Sequence, residues 1–425
     1  MKTINTQNLK GVTDYYGKEQ LIRNKIISVL KRNFENYGYL PLDSSILYNY
    51  DILAYKYQDG AEILNEIYTL TDQGDRELAL RYDLTIPFCK VIANEKDLRL
   101  PFRRYEIGKV FRNGPVKLGR CREFYQCDID VVGIDGRYIE AEQMMLVLNV
   151  FNQLDINIVI KWNNRKLMSS LIKYIGIDED KIDLVIGTID KLEKLSRNEL
   201  INEFYKIEID VDTVNKLLDI FTKDIEYYDN LKIDDELYKE AMEEVNELKN
   251  MLIKLNIFER TKFTPTLARG LSIYTGTVFE FYDVEKRLTC SLGSGGRYNK
   301  IITDFISDGN VYPAVGLSFG LEPIYTILKE KYENENLIDV YIIPMDTEVE
   351  CIKLADNLRK NNINVLVELN KRKVKKCFEY ANRENIKYVI VVGSNEIENN
   401  TYALKNMLSG EQYSMNEEEL LEFLK

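Results

Sequence analysis

A basic hairpin is the sequence feature that most constrains what this chain can fold into. The segment FRNGPVKLGRCREFYQCDIDVVG runs from Phe111 to Gly133, begins and ends like a β-strand, and has a Gly-Pro pair and a second glycine near its centre. Positions 99 to 123 carry eight Lys and Arg against two Glu. A solvated loop explains a lone run of charge, so other features must decide whether this hairpin meets an anion.

Polar residues alternate along the return arm of the hairpin. Gln126, Asp128 and Asp130 share one face of this arm, because side chains two positions apart in a strand point to the same side. Arg112 lies in the other arm, where a charge on a sheet usually has a partner. A strand face with these polar and charged side chains is unsuited to a hydrophobic core, and it predicts a binding pocket.

Composition excludes several other functions. The chain has 425 residues, so we expect two or three domains, and its net charge of −12 argues against a surface that coats nucleic acid. Histidine is absent, which removes it as base, nucleophile or metal ligand. The six cysteines form no C-x-x-C pair, so we expect no metal held by the protein itself and no disulfides. We expect a cytoplasmic protein without a membrane span, because no long apolar stretch occurs.

Hydrophobic periodicity divides the chain into three regimes. The first predicts a mostly antiparallel sheet flanked by helices, with a helix over 17–37, a strand in LALRYDLTIPF that Pro87 breaks, and a strand in NIVIKWNN. Helical patterns dominate from about 165 to 256 and indicate an inserted helical module, after which strand signals resume. From 336 to 425 strands and helices alternate, which is typical of a compact α/β domain.

Two segments between these regimes have more than one interpretation. In LARGLSIYTG, Arg269 is enclosed by apolar residues, which suits a structural salt bridge as well as a functional charge. GSGGRY, from Gly293 to Tyr298, permits close backbone approach but lacks the strand–helix context of a dinucleotide loop.

Taken in order, the long motifs resemble those of histidine–tRNA ligases, which are class II aminoacyl-tRNA synthetases. The motifs are NYGYLPLDSSIL, LRYDLTIPF, RRYEIGKVFR with GRCREFYQCDID, LARGLSIYTG, GSGGRY and AVGLSFGLE. The resemblance covers nearly the whole chain and implies an α+β class II catalytic core over 1–330, with the helical insert, and an α/β anticodon-binding domain over 336–425. It also implies a homodimer that acts on L-histidine, ATP with Mg²⁺, and tRNA(His).

The first step of the implied reaction joins two anions, the carboxylate of histidine and the α-phosphate of ATP. The carboxylate of histidine attacks the α-phosphate of ATP, which gives histidyl-adenylate and pyrophosphate, and a ribose hydroxyl of the tRNA then takes the histidyl group. Charge neutralisation and alignment dominate such a first step. An arginine on a rigid strand suits it, since paired N–H donors can hold a phosphate.

The resemblance assigns roles to individual residues. Arg112 and Arg269 match the catalytic arginines. Residues matched to the ATP site are Arg112, Arg120, Arg122 and Glu123. Residues matched to the histidine site are Asp83, Leu84, Thr85, Arg112, Gln126, Asp130, Arg269, Ile273 and Tyr274, of which Asp130 and Tyr274 would read the imidazole ring. A carboxylate and a phenol suit a ring with two nitrogens.

One position departs from the family pattern. The third class motif normally ends in an arginine that contacts the γ-phosphate of ATP, and here that position is Pro323. The sequence resembles a bacterial branch of the family that lacks this arginine. An active ligase is the favoured interpretation. A silent, histidine-sensing regulatory subunit of ATP phosphoribosyltransferase is the alternative, and a sensor of uncharged tRNA is a weaker one.

Overall fold

The computed structural model describes residues 4–55, 62–95, 97, 99–116, 120–192, 195–268, 273–332 and 336–425. Arg269, Lys117 and Gly119 therefore lie outside the described residues. The chain separates into two compact units. One comprises Met1–Tyr15 and Arg23–Ile327, and the other comprises Tyr16–Ile22 and Leu328–Lys425.

The first part of the chain builds strands and helices around the hairpin. In order, its elements are α1 (Lys18–Asn36), β1 (Leu40–Pro41), β2 (Leu47–Asn49), α2 (Tyr50–Ala54), β3 (Thr69–Thr71), β4 (Glu77–Leu80), α3 (Thr85–Asn94), β5 (Phe102–Phe111), β6 (Glu123–Val132), α4 (Tyr138–Gln153) and β7 (Ile158–Asn164).

The predicted helical stretch follows β7, and strands then resume. Its helices are α5 (Arg165–Tyr174), α6 (Ile182–Ile189), α7 (Arg197–Lys206), α8 (Val211–Ile220), α9 (Ile225–Asn230) and α10 (Glu236–Lys254). The elements after it are β8 (Thr261–Phe263), β9 (Thr277–Asp283), β10 (Gly293–Arg297), α11 (Asn299–Ile306), β11 (Ala314–Gly320) and α12 (Leu321–Leu328).

Within the described residues, the largest sheet has eight strands in the order β1-β5-β6-β11-β10-β9-β7-β8. Its pairs are antiparallel except β1 with β5 and β7 with β8. The hairpin arms β5 and β6 pair over their full length, from Phe102 opposite Val132 to Phe111 opposite Glu123. This confirms the predicted antiparallel sheet with flanking helices, and it places the hairpin inside the sheet.

The predicted strand through LALRYDLTIPF is wrong in its second half. Strand β4 ends at Leu80, and Pro87 lies in the first turn of α3. Proline is tolerated there, because the backbone N–H that it lacks would have no partner in the helix. Arg112 also falls one residue beyond β5, although its backbone N–H still donates to Arg122 O at 2.9 Å and so continues the pairing.

The second unit has its own mixed sheet and core. Its elements are β12 (Val340–Pro344), α13 (Glu348–Lys360), β13 (Val365–Val367), α14 (Val374–Arg383), β14 (Tyr388–Val392), α15 (Ser394–Glu398), β15 (Tyr402–Asn406), β16 (Gln412–Met415) and α16 (Glu417–Leu424). Strands β13, β12 and β14 are parallel, and β15 and β16 add an antiparallel edge. The predicted alternation of strands and helices is confirmed.

A buried ion pair fixes the loop before α3 to the main sheet. Arg81 Nη1 lies 2.8 Å from Glu106 Oε1, and the same carboxylate oxygen accepts from the backbone N–H and the hydroxyl of Ser44. The two charged side chains are almost completely buried. Loss of one partner would leave the other charge unpaired in the interior.

We therefore expect Glu106→Ala to lower the free energy of unfolding by about 3 to 5 kcal/mol. Denaturant unfolding followed by the fluorescence of Trp162 measures this, because the only tryptophan of the chain is buried in β7 of the same unit. Asp304→Ala is the matched control. It breaks an exposed pair with Lys300 and should cost less than about 1 kcal/mol. Equal losses in the two variants would contradict the interpretation.

Candidate functional site

The central strands present a polar face rather than a core. Residues directly opposite in neighbouring strands point to the same side, so three cross-strand rows can be followed. These rows are Gly108–Gln126–Gly320, Glu106–Asp128–Ser318–Ser294 and Arg104–Asp130–Gly316–Gly296. The predicted polar face of β6 is thus one part of a wider surface, which we call the polar floor and define by these three rows.

Glycines in the polar floor make room for its charged side chains. A Cβ atom at Gly316 would lie 1.9 Å from Asp130 Oδ1, and one at Gly108 would lie 2.3 Å from Arg81 Nη2. A Cβ atom at Gly296 would lie 2.8 Å from the ring of Tyr274. Larger residues at these three positions would displace the neighbouring groups, so the glycines are required by close approach.

Arg104 joins Asp130 to the loop before α3. Its Nη2 atom lies 2.7 Å from Asp130 Oδ2 and 3.0 Å from the carbonyl oxygen of Leu84, to which it donates a hydrogen bond. The hydroxyl of Tyr298 donates to the other carboxylate oxygen of Asp130. Burial raises the pKa of Asp130, and Arg104 and then Tyr298 oppose this effect. Asp130 is thus held in one orientation by a cation and a phenol.

Asp83 and Thr85 lie at the start of α3 rather than in a strand. Asp83 is buried, and its Oδ1 atom accepts from the backbone N–H of Ile86 at 3.1 Å, as a helix-capping carboxylate does. Thr85 is the first residue of the helix and is half-buried. Through Leu84 and Arg104 this segment is tied to Asp130, so the structure brings the two sequence-predicted groups together.

A cavity of about 570 Å³ opens beside the polar floor. Arg112, Arg120 and Gln126 line it, together with Pro323. Arg112 Nε donates to the carbonyl oxygen of Tyr82 at 3.1 Å, and the guanidinium lies 5.1 Å from the ring centre of Phe124. The cavity therefore combines cations from the hairpin with a size that suits a nucleotide.

Other predicted residues lie outside this lining. Arg122 and Glu123 begin the return arm, where Arg122 N donates to Gly11 O and Glu123 pairs with Lys109. Ile273 and Tyr274 are half-buried and pack against the apolar cluster beneath α3. Arg269 lies outside the described residues, so its position in the site stays a prediction.

An ion pair anchors the residue beside Pro323, the position where the sequence resemblance predicts an arginine. Glu322, which precedes Pro323 in the first turn of α12, lies 2.9 Å from Arg23 Nη2 through its Oε1 atom. Arg23 is buried, and its guanidinium stacks on the ring of Tyr15 at 3.9 Å. Since Glu322 and Pro323 both line the cavity, this pair fixes one of its walls.

Sequence reasoning missed Arg104, Glu106 and Tyr298 as parts of the site. The alternating charges in RRYEIGK gave a signal, because charges at alternate positions of a strand share one face. Asp128 shares the alternation of β6, but the resemblance assigns it no role. The partner of each charge depended on strand register, which the sequence does not show.

Comparisons with known proteins identify the family. A sequence model described as histidyl-tRNA synthetase matches residues 11–324, and one described as an anticodon binding domain matches residues 339–425. The chain is 45% identical over 411 residues to a histidine–tRNA ligase 1 of Bacillus cereus, covering 96% of each chain. It is 41% identical over 416 residues to a histidine–tRNA ligase 2 of Shouchella clausii, covering 96% of this chain and 98% of the relative.

A solved structure gives the same result for the fold. The chain superposes on the crystal structure of histidyl-tRNA synthetase from a Nostoc species with a TM-score of 0.87 and 27% identity, and 99% of each chain is covered. The architecture is that of a class II aminoacyl-tRNA synthetase. The chain belongs to the histidyl-tRNA synthetase family, and it ligates histidine to tRNA. The regulatory-subunit interpretation has less support, since ligases match nearly the whole chain.

The close approach of Gly316 to Asp130 gives a test of the site. Because a Cβ atom would collide with the carboxylate, we expect Gly316→Ala to weaken histidine binding by about tenfold or more and ATP binding by less than about twofold. Calorimetric titration with each substrate measures both affinities. Gly74→Ala is the control, because its Cβ atom would make only an ordinary contact at 3.5 Å in an exposed turn. Equal weakening of both substrates would show that Asp130 does not serve histidine in particular.

Proposed function

We propose that this ligase binds and recognises histidine on the polar floor and activates it with ATP in the adjoining cavity. The observation that carries the proposal is the continuity of the two, since Gln126 belongs to the polar floor and also lines the cavity with Arg112. Asp130 would accept from the imidazole ring, with Tyr274 as its partner. Asp83, Thr85 and Gln126 would hold the α-ammonium group, and Leu84 and Ile273 would shape the site.

Adenylate formation needs positive charge around the α-phosphate. Arg112 is placed by a hydrogen bond to the backbone and by stacking on Phe124, so its orientation is set before substrate arrives. It would contact both the α-phosphate and the substrate carboxylate. Arg269 would act from the other side, as its match to the second catalytic arginine of the family implies. Arg122 and Glu123, at the base of the hairpin, would belong to the ATP site.

The γ-phosphate must be held without the usual arginine. Pro323 fits the first turn of α12, and the neighbouring Glu322 is tied to Arg23. Arg120 and Arg112 are the cations among the described residues that line the cavity. We assign the γ-phosphate to Arg120, and we place the chain in the branch of the family that lacks the arginine.

Mg²⁺ would enter with ATP. The described lining of the cavity includes two carboxylates, Glu66 and Glu322, which are the oxygen ligands that this ion takes when it binds through one or two acidic residues and substrate phosphates. The residues therefore fit the ion. When bound, it would neutralise part of the phosphate charge.

The remaining parts serve the tRNA and the assembly. The catalytic domain would span 1–330 with its insert near 165–256, and the domain over 336–425 would contact the anticodon stem of tRNA(His). A homodimer would form at β1, a two-residue edge strand of the main sheet with Leu40, Ile46 and Leu47 exposed nearby.

The described residues contain no helix with the length and apolarity needed to cross a bilayer. We place the enzyme in the cytoplasm.

Arg112→Ala should slow adenylate formation by about a hundredfold to a thousandfold, because a preorganised cation at the reacting phosphate is lost. Single-turnover quench-flow measurement with labelled ATP and histidine gives this rate, and transfer of histidine to tRNA(His) gives the second step. Arg76→Ala, which removes an exposed arginine that does not line the cavity, is the control and should react at the normal rate. A loss below about tenfold in Arg112→Ala would contradict its role.

A further inference from the structure

Four buried oxygen atoms of the polar floor lack hydrogen-bond partners among the described residues. Two of them, Glu106 Oε2 and Asp130 Oδ2, lie 3.7 and 2.7 Å from nitrogens of Arg104. The other two are Gln126 Oε1 and Asp128 Oδ1. The two residues lie on the same face of β6, with Cα atoms about 7 Å apart. Unpaired buried acceptors cost free energy, so two of them at neighbouring positions indicate a group that donates to both when it binds.

Ser318 lies beside both side chains. Gln126 Nε2 donates to Ser318 Oγ at 3.4 Å, and the nearby Ser318 lowers the pKa of Asp128. One of the two N–H donors of the Gln126 amide is therefore used, and the amide oxygen is left for a ligand. Since Ser318 lies directly opposite Asp128 in β11, the arrangement is set by strand register.

The ligand chemistry follows from these acceptors. An ammonium group carries only donors, three of them, and its positive charge matches an ionised carboxylate. Asp130, the next residue on this face, already has both oxygens close to Arg104 and Tyr298. Asp128 is almost completely buried, so its open oxygen has no solvent to satisfy it.

We propose that Asp128 is a recognition residue for the α-ammonium group of histidine, which donates to Asp128 Oδ1 and Gln126 Oε1 together. The inference rests on the proposed histidine site and extends it, because no role had been assigned to Asp128. The residue would contribute to binding and to orientation of the amino acid before its carboxylate reacts.

The electrostatic surroundings of Asp128 couple binding of the ammonium group to release of a proton. Burial raises the pKa of Asp128, Arg104 opposes this effect and Asp130 adds to it, and together they place the pKa at about 8. The charged groups that face Asp128 are Arg104 and Glu106 on β5, Asp130 on β6 and Asp83 before α3. The protonated form of Asp128 is therefore favoured in the free enzyme at pH 7. A bound cation favours the carboxylate, so the proton leaves for solvent, and histidine affinity rises with pH up to about 8.

Three ligands separate the contribution of the ammonium group from that of the imidazole ring. L-histidine and L-histidinol carry both groups, whereas imidazolepropionate lacks the amino group. By calorimetric titration, Asp128→Asn should weaken binding of the first two by about tenfold or more and leave imidazolepropionate within about twofold. Asp130→Asn is the matched comparison and should weaken all three, since all carry the ring.

Each outcome decides the proposal. If Asp128→Asn weakens all three ligands equally, Asp128 acts on the ring or on packing, and the proposal is wrong; it is also wrong if none is weakened. If the wild-type protein binds no histidine, the proposed histidine site itself fails, which is a different result.

The wild-type protein alone decides the question if Asp128→Asn does not fold. Titrations at pH 7 in two buffers of different ionisation enthalpy count released protons. Binding of L-histidinol should release about one proton more than binding of imidazolepropionate. Equal proton release by the two ligands would overturn the proposal.

Discussion

The arrangement of the site depends on one buried cation. Arg104 is completely buried between the carbonyl oxygen of Leu84 and the carboxylates of Asp130 and Glu106. Removing a guanidinium from water is costly, and the cost is offset only while acceptors surround it closely. The start of α3 and strand β6 are therefore held at a fixed separation. That separation sets the distance between the predicted ammonium ligands and the predicted imidazole ligand.

The main sheet both pairs its buried charges and leaves space for a ligand. A sheet face lined with carboxylates and arginines would pack badly if every position carried a side chain. Gly108, Gly316 and Gly296 remove side chains where Arg81, Asp130 and Tyr274 need the space. The polar floor is thus a pattern of paired charges and gaps, and the open oxygens of Gln126 and Asp128 lie in it. In the proposed site these open oxygens would bind the α-ammonium group that every amino acid carries. Selection of histidine would rest on Asp130 and Tyr274, the proposed partners of the imidazole ring, which an apolar side chain would leave unsatisfied.

Much of this could be predicted from the sequence, for identifiable reasons. The alternation in β6 and the cations around Arg112 predicted a polar pocket on a hairpin, because the two-residue period of a strand is a local property. The sequence predicts a strand at the start of α3, because a proline after apolar residues is as typical of the end of a strand as of the first turn of a helix. Arg104 was missed as a site residue, because its partners come from two other segments and only register brings them together.

The central claim is that this chain activates histidine with Pro323 at the position where the sequence resemblance predicts an arginine. The most direct measurement is exchange of labelled pyrophosphate into ATP by the purified protein, with each amino acid in turn and without tRNA. The account predicts exchange with L-histidine and with no other amino acid. Histidine binding without any exchange would contradict it, and would point instead to a protein that senses histidine.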